Sequence, residues 1–478
     1  MNPKVLKSAW KNMRCWNQLE SGNFTLLQKL SQQRKHALRM KKSILLLLTC
    51  AISGYSTYAQ VIKEKEVKRI VSTLADDDMM GRQPGTPGAF KAAKFIEDEF
   101  AKAKLLPLEG NTRYRQEFKK YQLIQNSSSI TINGNAKNLD IVVVGKARSI
   151  DWKKDTAKIK EVHVNSPSLL FGMMRKAGKL KENTVLWVDS SLAKYQSYIK
   201  MGVSEKYYND PADIDNIEPN ETPYNLVVVL ENGTTAGEND NWEIKAQRNI
   251  VETPFTNIVG MIRGTTKPEE YVVFSAHYDH LGIIPNAGKD SIANGADDDA
   301  SGTTAVIELA NYFSGKKPVR SIIFVAFTGE ETGGHGSQYF SRKLDPNKVV
   351  AMFNIEMIGK ESKFGKNSAF ITGYEKSDFG KILQNNLNGS TFKFYPDPYP
   401  EQNLFYRSDN ATLARFGVPA HTISTTQIDK DQYYHTVGDE VSTLDMSNIT
   451  AIIQAIATSS VSIVNGTDTP TRIKQTQE

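Results

Sequence analysis

The residues most able to do chemistry in this 478-residue chain are carboxylates and imidazoles set in short, separated groups. They are His277-Tyr278-Asp279, the run Asp297-Asp298-Asp299, the pair Glu330-Glu331, the lone Glu356 and Tyr434-His435. The only cysteines, Cys15 and Cys50, lie near the amino terminus, so a metal bound by the rest of the chain must sit on His, Asp and Glu. Such a donor set suits zinc in a catalytic site that keeps a position open for water. Two ions about 3.5 to 4 Å apart need one shared carboxylate and terminal donors on each side. The inventory meets that need if Asp297 bridges, with His277 and Glu356 on one ion and Glu331 and His435 on the other. Glu330 is then the spare carboxylate, free to act as general base, and Asp279 is placed to orient the His277 ring.

These groups need elements to carry them. From Phe255 onward, short continuous β-branched runs alternate with helical segments, which predicts an α/β fold: a mostly parallel central sheet with helices on both faces. The expected strands are 257–262, 271–276, 320–327, 349–355 and 418–424; the expected helices are 300–313, 337–342, 377–386, 409–416 and 447–464. In open sheets of this kind ligands bind beyond the carboxyl ends of the strands. His277, Glu330, Glu331 and Glu356 all fall at such ends, and Tyr434-His435 follows the last strand.

Upstream, helical spacing over 61–80 and 88–105 flanks a Gly- and Pro-rich turn, and strands are expected at 114–123 and 139–144. Residues 60–145 read as the first part of the catalytic domain. Residues 146–250 read as an inserted, mostly-β subdomain, 251–466 as the catalytic domain proper, and 467–478 as a frayed polar tail. Residues 1–59 read as a leader. Met40-Lys41-Lys42, an apolar run over 43–52 and small residues ending at Ala59 form a secretory signal, too short for a membrane span. Lipid attachment at Cys50 is the alternative reading, and the stretch before Met40 reads as lying upstream of the natural start. The expectation is an exported protein, periplasmic or extracellular. Without the leader the formal charge of +6 becomes −3, from 49 basic and 52 acidic residues, which removes any reason to expect nucleic acid as a partner.

The chain resembles the di-zinc peptidases of clan MH, the family of aminopeptidase Y, bacterial leucyl aminopeptidases, glutamate carboxypeptidase and the transferrin receptor. The matching stretches are Ser275-Ala276-His277-Tyr278-Asp279, Gly295 through Gly302, Gly329-Glu330-Glu331-Thr332-Gly333, Asn354 through Gly359 and Tyr434-His435-Thr436, supported by Met80-Gly81-Arg82, Ser408-Asp409 and Phe416 through Ala420. The resemblance implies a metallo-aminopeptidase with two zinc ions, acting on peptides, with metal roles for His277, Asp297, Glu331, Glu356 and His435, Glu330 as base and Asp279 as orienting residue. It also implies a cis bond at Asp297-Asp298 and, for Tyr434, a place beside the oxyanion. Position 356 departs from the usual Asp, and His335-Gly336 stand where a Leu is more common. Glutaminyl cyclisation, carboxypeptidase action with Arg407 holding a carboxylate, and a non-catalytic receptor-like module are the competing readings. A protease-associated type of insertion and a dimer are both compatible with 146–250. His280 reads as structural and His421 as a satisfied core histidine.

Overall fold

Long runs with every residue buried can be accommodated only where both faces of a sheet are covered, and Arg320–Phe327 is such a run. In the computed structural model it lies inside an eleven-stranded sheet. The structure describes residues 61–474 except 155–157, 196–198, 200–205, 218–220, 231–236, 238 and 285–287; the signal-peptide reading and Cys50 lie outside the described residues. At the centre of the sheet, Arg320–Phe327, Lys267–His277, Val349–Ile355 and Ala420–Ser424 run parallel in that order. All four therefore end at the same edge of the sheet.

Alternation along the strands divides the core in two. Val272, Phe274 and Ala276 face one side with Phe324 and Phe353, against the helices Glu64–Leu74, Pro87–Lys102, Gly302–Phe313 and Met446–Ser459. Val273, Val325 and Phe327 face the other side, against Phe340 of helix His335–Lys343 and Leu413 of helix Asn410–Ala414. Thr86 caps the Pro87 helix by accepting from Ala89 N, and Asp445 caps the Met446 helix by accepting from Asn448 N. Met446–Val464 is long and apolar enough to cross a bilayer, yet 61% of it is buried here, and the expected single helix over 447–464 breaks at Ser460.

Two strands exceed their sequence expectation. Arg115–Ile132 and Trp242–Ile262 pair antiparallel over nearly their whole length, where 114–123 and 257–262 were expected. Their outer halves are polar on one side and give no continuous apolar signal. This ribbon carries Ile130, Trp242 and Ile244 into a separate core with Val143, Val185 and Trp187. There a second sheet runs in the order Asp140–Val144, Leu226–Leu230, Thr184–Val188, Lys160–Val164. Its first strand precedes the border expected at 146. Two short strands, Ser368–Ile371 and Lys393–Pro396, extend the main sheet without having been anticipated.

Within the tail expected to be frayed, residues 468–473 are held by specific bonds. Arg320 donates to Asp468 O and Thr469 Oγ1, Arg472 donates to Pro346 O, Val349 O and Phe416 O, and Ile473 is buried. Side-chain to backbone bonds hold residues 468–473 where their composition alone suggested none.

Candidate metal centre

The shared sheet edge gathers the chemistry. His277 is the last residue of its strand, and Glu356 follows Ile355 directly. After Phe327 the chain turns through Gly329 at φ +73°, where a Cβ would lie 2.5 Å from the Phe255 ring, so Glu330 and Glu331 are delivered on a turn that only glycine makes. His435 arrives from the loop after Ser424, itself at φ 57°.

The geometry centres on Asp298. His277 Nε2 lies 3.3 Å from Asp298 Oδ1, and His435 Nε2 lies 3.3 Å from Asp298 Oδ2 and 2.9 Å from Glu331 Oε2. His277 Nδ1 donates to the Asp279 carbonyl at 3.2 Å, with the Asp279 carboxylate at 3.8 Å. That carboxylate instead accepts from Glu330 N at 3.2 Å, so Asp279 fixes both the imidazole and the turn carrying Glu330. Tyr434 stacks on His435 with centroids 3.9 Å apart.

The bridging position expected for Asp297 is therefore a correction. Asp297 Oδ1 accepts from Gly359 N at 2.7 Å and Oδ2 lies 3.3 Å from Lys360 Nζ, which turns the carboxylate away from both histidines. The cis peptide likewise joins Asp298 to Asp299, one bond later than expected. Asp298 and Asp299 have non-helical backbone angles, so consecutive side chains point in different directions, and three identical residues carry no mark of which one faces inward. Asp439 holds the turn by accepting from Asp297 N and Asp298 N, each at 3.0 Å; Asp299 ties it to Gly302 N and Met357 N, again at 3.0 Å.

Residues 257–460 match the model of peptidase family M28. The chain carries an M28 peptidase domain. It is similar to a "Probable zinc metalloprotease" of Pyrenophora tritici-repentis, 36% identical over 24% of this chain and 26% of the relative. A "Probable leucine aminopeptidase" of Trichophyton verrucosum is 29% identical over 40% of this chain and 53% of the relative. The matched stretch thus spans about a quarter of the first relative and half of the second. The fold is that of a zinc aminopeptidase from Bacillus subtilis, at TM-score 0.55 and 15% identity, covering 85% of this chain and 96% of that one. An aminopeptidase from Aneurinibacillus sp. aligns at TM-score 0.54 and 14% identity, covering 88% and 97%.

The M28 domain concentrates more negative charge at this edge than its own cations balance. Burial pushes Asp279 and Glu356 up to about 7 and Asp409 up to about 6. Burial also pushes Glu330 well above the carboxylate range, with His277 opposing and Glu356, Asp409 and Glu331 adding to the rise. Burial works against the charge of Asp298 too, but His277 and His435 hold it well below the ordinary value. For His435, burial opposes protonation while Asp298 and Glu331 raise the imidazole to about 10. His277 Nε2, Glu356 Oε2 and both Asp409 oxygens are buried without an aligned hydrogen bond. Buried charge of this kind is normally paired or bound to metal, and the orphaned donors fit a divalent cation.

Four residues that the sequence marks only as supporting or structural take definite places here. His280, read as structural, donates from Nδ1 to Glu331 Oε1 at 2.7 Å, and these atoms lie with an Asp298 oxygen within 4.8 Å of one another. Its spacing, three residues after His277, was the available signal. Arg82 is fully buried and donates only to backbone, to Tyr278 O, Leu74 O, Asn294 O and Gly295 O, so it clamps the His277 and Asp297 loops together. His421 is buried in its strand, with Nδ1 on Thr372 O at 2.9 Å and Nε2 on Ser377 Oγ at 2.7 Å. Arg407 lines a pocket beside Glu356 and Tyr434.

Proposed function

We propose that this protein is a zinc-dependent exopeptidase that removes amino-terminal residues from peptides. One observation carries the reading: His277, Asp298, Glu331 and His435 lie in direct contact, and the carboxyl groups of Glu356 and Glu330 are close enough to His277 to act on it electrostatically. In this reading His277, Glu356, Glu331, His435 and Asp298 would hold the zinc, His277 and Glu356 on one side of Asp298 and Glu331 and His435 on the other. Bound zinc supplies Lewis-acid polarisation and charge neutralisation at the scissile carbonyl.

The chain's own residues do the rest. Glu330 takes a proton from the attacking water as its oxygen bonds to the carbonyl carbon, then gives that proton to the leaving nitrogen as the C–N bond breaks. Asp279 holds the turn through the Glu330 backbone amide, which sets the direction of that transfer. His280 fixes one Glu331 oxygen and leaves the other toward His435. Tyr434 stacks on His435, and in this reading its hydroxyl would donate to the oxyanion. The excess of carboxylates suits a substrate ammonium group, which favours cleavage next to a free amino terminus. Export, expected from residues 40–59, completes the proposal.

The test is hydrolysis of free and amino-blocked aminoacyl anilides by zinc-loaded protein. Cleavage of free substrates alone supports an aminopeptidase. Zinc binding with cleavage of neither directs attention to cyclisation and carboxypeptidase substrates, and overturns this reading.

A further inference from the structure

A second concavity lies between the M28 sheet and the smaller sheet, and it belongs to none of the groups above. Gln83, Gln122, Gln125, Tyr207, Arg248 and Thr253 supply its polar lining, and Ile141, Val142 and Val143 supply part of its apolar wall. Three observations together point to its ligand.

The first is a strand edge. Asp140–Val144 ends the smaller sheet and pairs only with Leu226–Leu230 among the described strands. Its other edge faces the cleft, where Gln125 already donates to the Ile141 carbonyl at 2.8 Å. A strand edge in a cleft is a template for an extended backbone, and glutamine side chains offer both donors and acceptors to peptide groups.

The second is a cation. Arg248 is only 7% exposed, and its Nη1 donates to Gly145 O at 2.9 Å and Ala147 O at 3.1 Å. Among the described residues it forms no ion pair with a carboxylate. A buried guanidinium satisfied on one side by carbonyls alone leaves its fork suited to an incoming carboxylate.

The third is continuity with the metal centre. Gln83 packs against Gly282, two residues beyond His280, and Tyr207 meets Phe255 and His335 edge-on at 5.0 and 5.5 Å. Phe255 in turn packs against Gly329, next to Glu330. The loop after His277 thus touches one residue that lines the cleft, Gln83, and the Gly329 turn reaches another, Tyr207, through Phe255.

We infer that this cleft binds the part of a peptide substrate beyond the scissile bond, as an extended strand beside Asp140–Val144, with Arg248 meeting the free terminal carboxylate of a short peptide. The inference rests on the exopeptidase reading and adds a substrate class to it: short peptides with an unmodified carboxyl end.

The experiment compares one short peptide as free acid and as carboxyl-terminal amide, with a leucyl anilide alongside, in zinc-loaded wild type, Arg248→Met and Arg248→Lys. The readout is the ratio of kcat/KM for acid over amide within each protein, so that loss of folded material cancels. Wild type should prefer the acid by roughly 10- to 100-fold, chiefly in KM. Arg248→Met should bring the ratio to about one, and Arg248→Lys should keep part of it. A wild-type ratio near one, with the anilide cleaved, overturns the inference and leaves the exopeptidase reading standing. Cleavage of neither peptide nor anilide removes both. Should Arg248→Met fail to fold, the wild-type and Arg248→Lys ratios decide.

Discussion

The molecule builds parallel strands twice, and only one set carries chemistry. Thr184–Val188 and Leu226–Leu230 in the smaller sheet are buried at every position, as is Arg320–Phe327 in the main sheet. By hydrophobic pattern the two sheets are equivalent. They differ at the carboxyl ends: Val188 leads to Asp189 and Ser190, on the exposed side of the sheet, whereas the main-sheet strands lead to His277, Glu330, Glu331 and Glu356. The difference teaches that strand burial sets where a site can be, while the two or three residues after each strand set whether one exists.

The sharpest way to break this contrast is at the strand end itself. Glu330→Gln should lower kcat/KM by roughly 10²- to 10⁴-fold with metal content and melting temperature kept, as read by steady-state kinetics and elemental analysis. A variant that loses metal along with activity would make Glu330 a ligand instead. Next, Asp298→Asn and Asp297→Asn separate neighbours of identical chemistry. Asp298→Asn should abolish stoichiometric zinc binding, whereas Asp297→Asn should retain zinc and lose stability, because Asp297 serves Gly359 N and Lys360.

In the smaller sheet the expected effect is on stability alone. Trp187 is 1% exposed and donates from Nε1 to Glu161 at 3.0 Å, so Trp187→Ala should cost about 3–5 kcal/mol in denaturant unfolding. A matching loss of zinc affinity would show that the two sheets are coupled more tightly than their separate cores suggest.

The smallest effect sharpens the role of core histidines away from the centre. Burial lowers His421 and His335 from the ordinary 6.5 to about 4. Between those values the unfolded chain binds more protons than the folded one, so stability is full above about 6.5 and falls as the pH drops toward 4. His421→Gln should flatten that slope in denaturant unfolding followed against pH, since a tenfold difference in proton affinity corresponds to about 1.4 kcal/mol. An unchanged slope would mean that His421 binds its proton equally well in the folded and unfolded chain.

Much of this was legible in the sequence because the signals are local. Continuous apolar runs marked the four central strands, and the donors after them marked the site. What was not legible depends on direction or on distance along the chain. The run Asp297-Asp298-Asp299 looks the same in either register, and only the backbone angles at Asp298 and Asp299, with Asp439 accepting from two successive amides, decide which carboxylate turns inward. Arg82 lies 196 residues from the carbonyl of Tyr278 that it clamps. The long ribbon Arg115–Ile132 with Trp242–Ile262 changes from core to surface along its length, which blurs the periodicity that would announce it. The polar tail is held by arginine bonds to carbonyls, which composition does not register.

The most direct measurement is anomalous diffraction at the zinc edge from crystals of zinc-loaded protein. Two peaks are expected, flanking the Asp298 carboxylate, one reached by His277 and Glu356 and the other by Glu331 and His435. Peaks at Asp297, or none near Asp298, would contradict the assignment of this sheet edge as the metal centre.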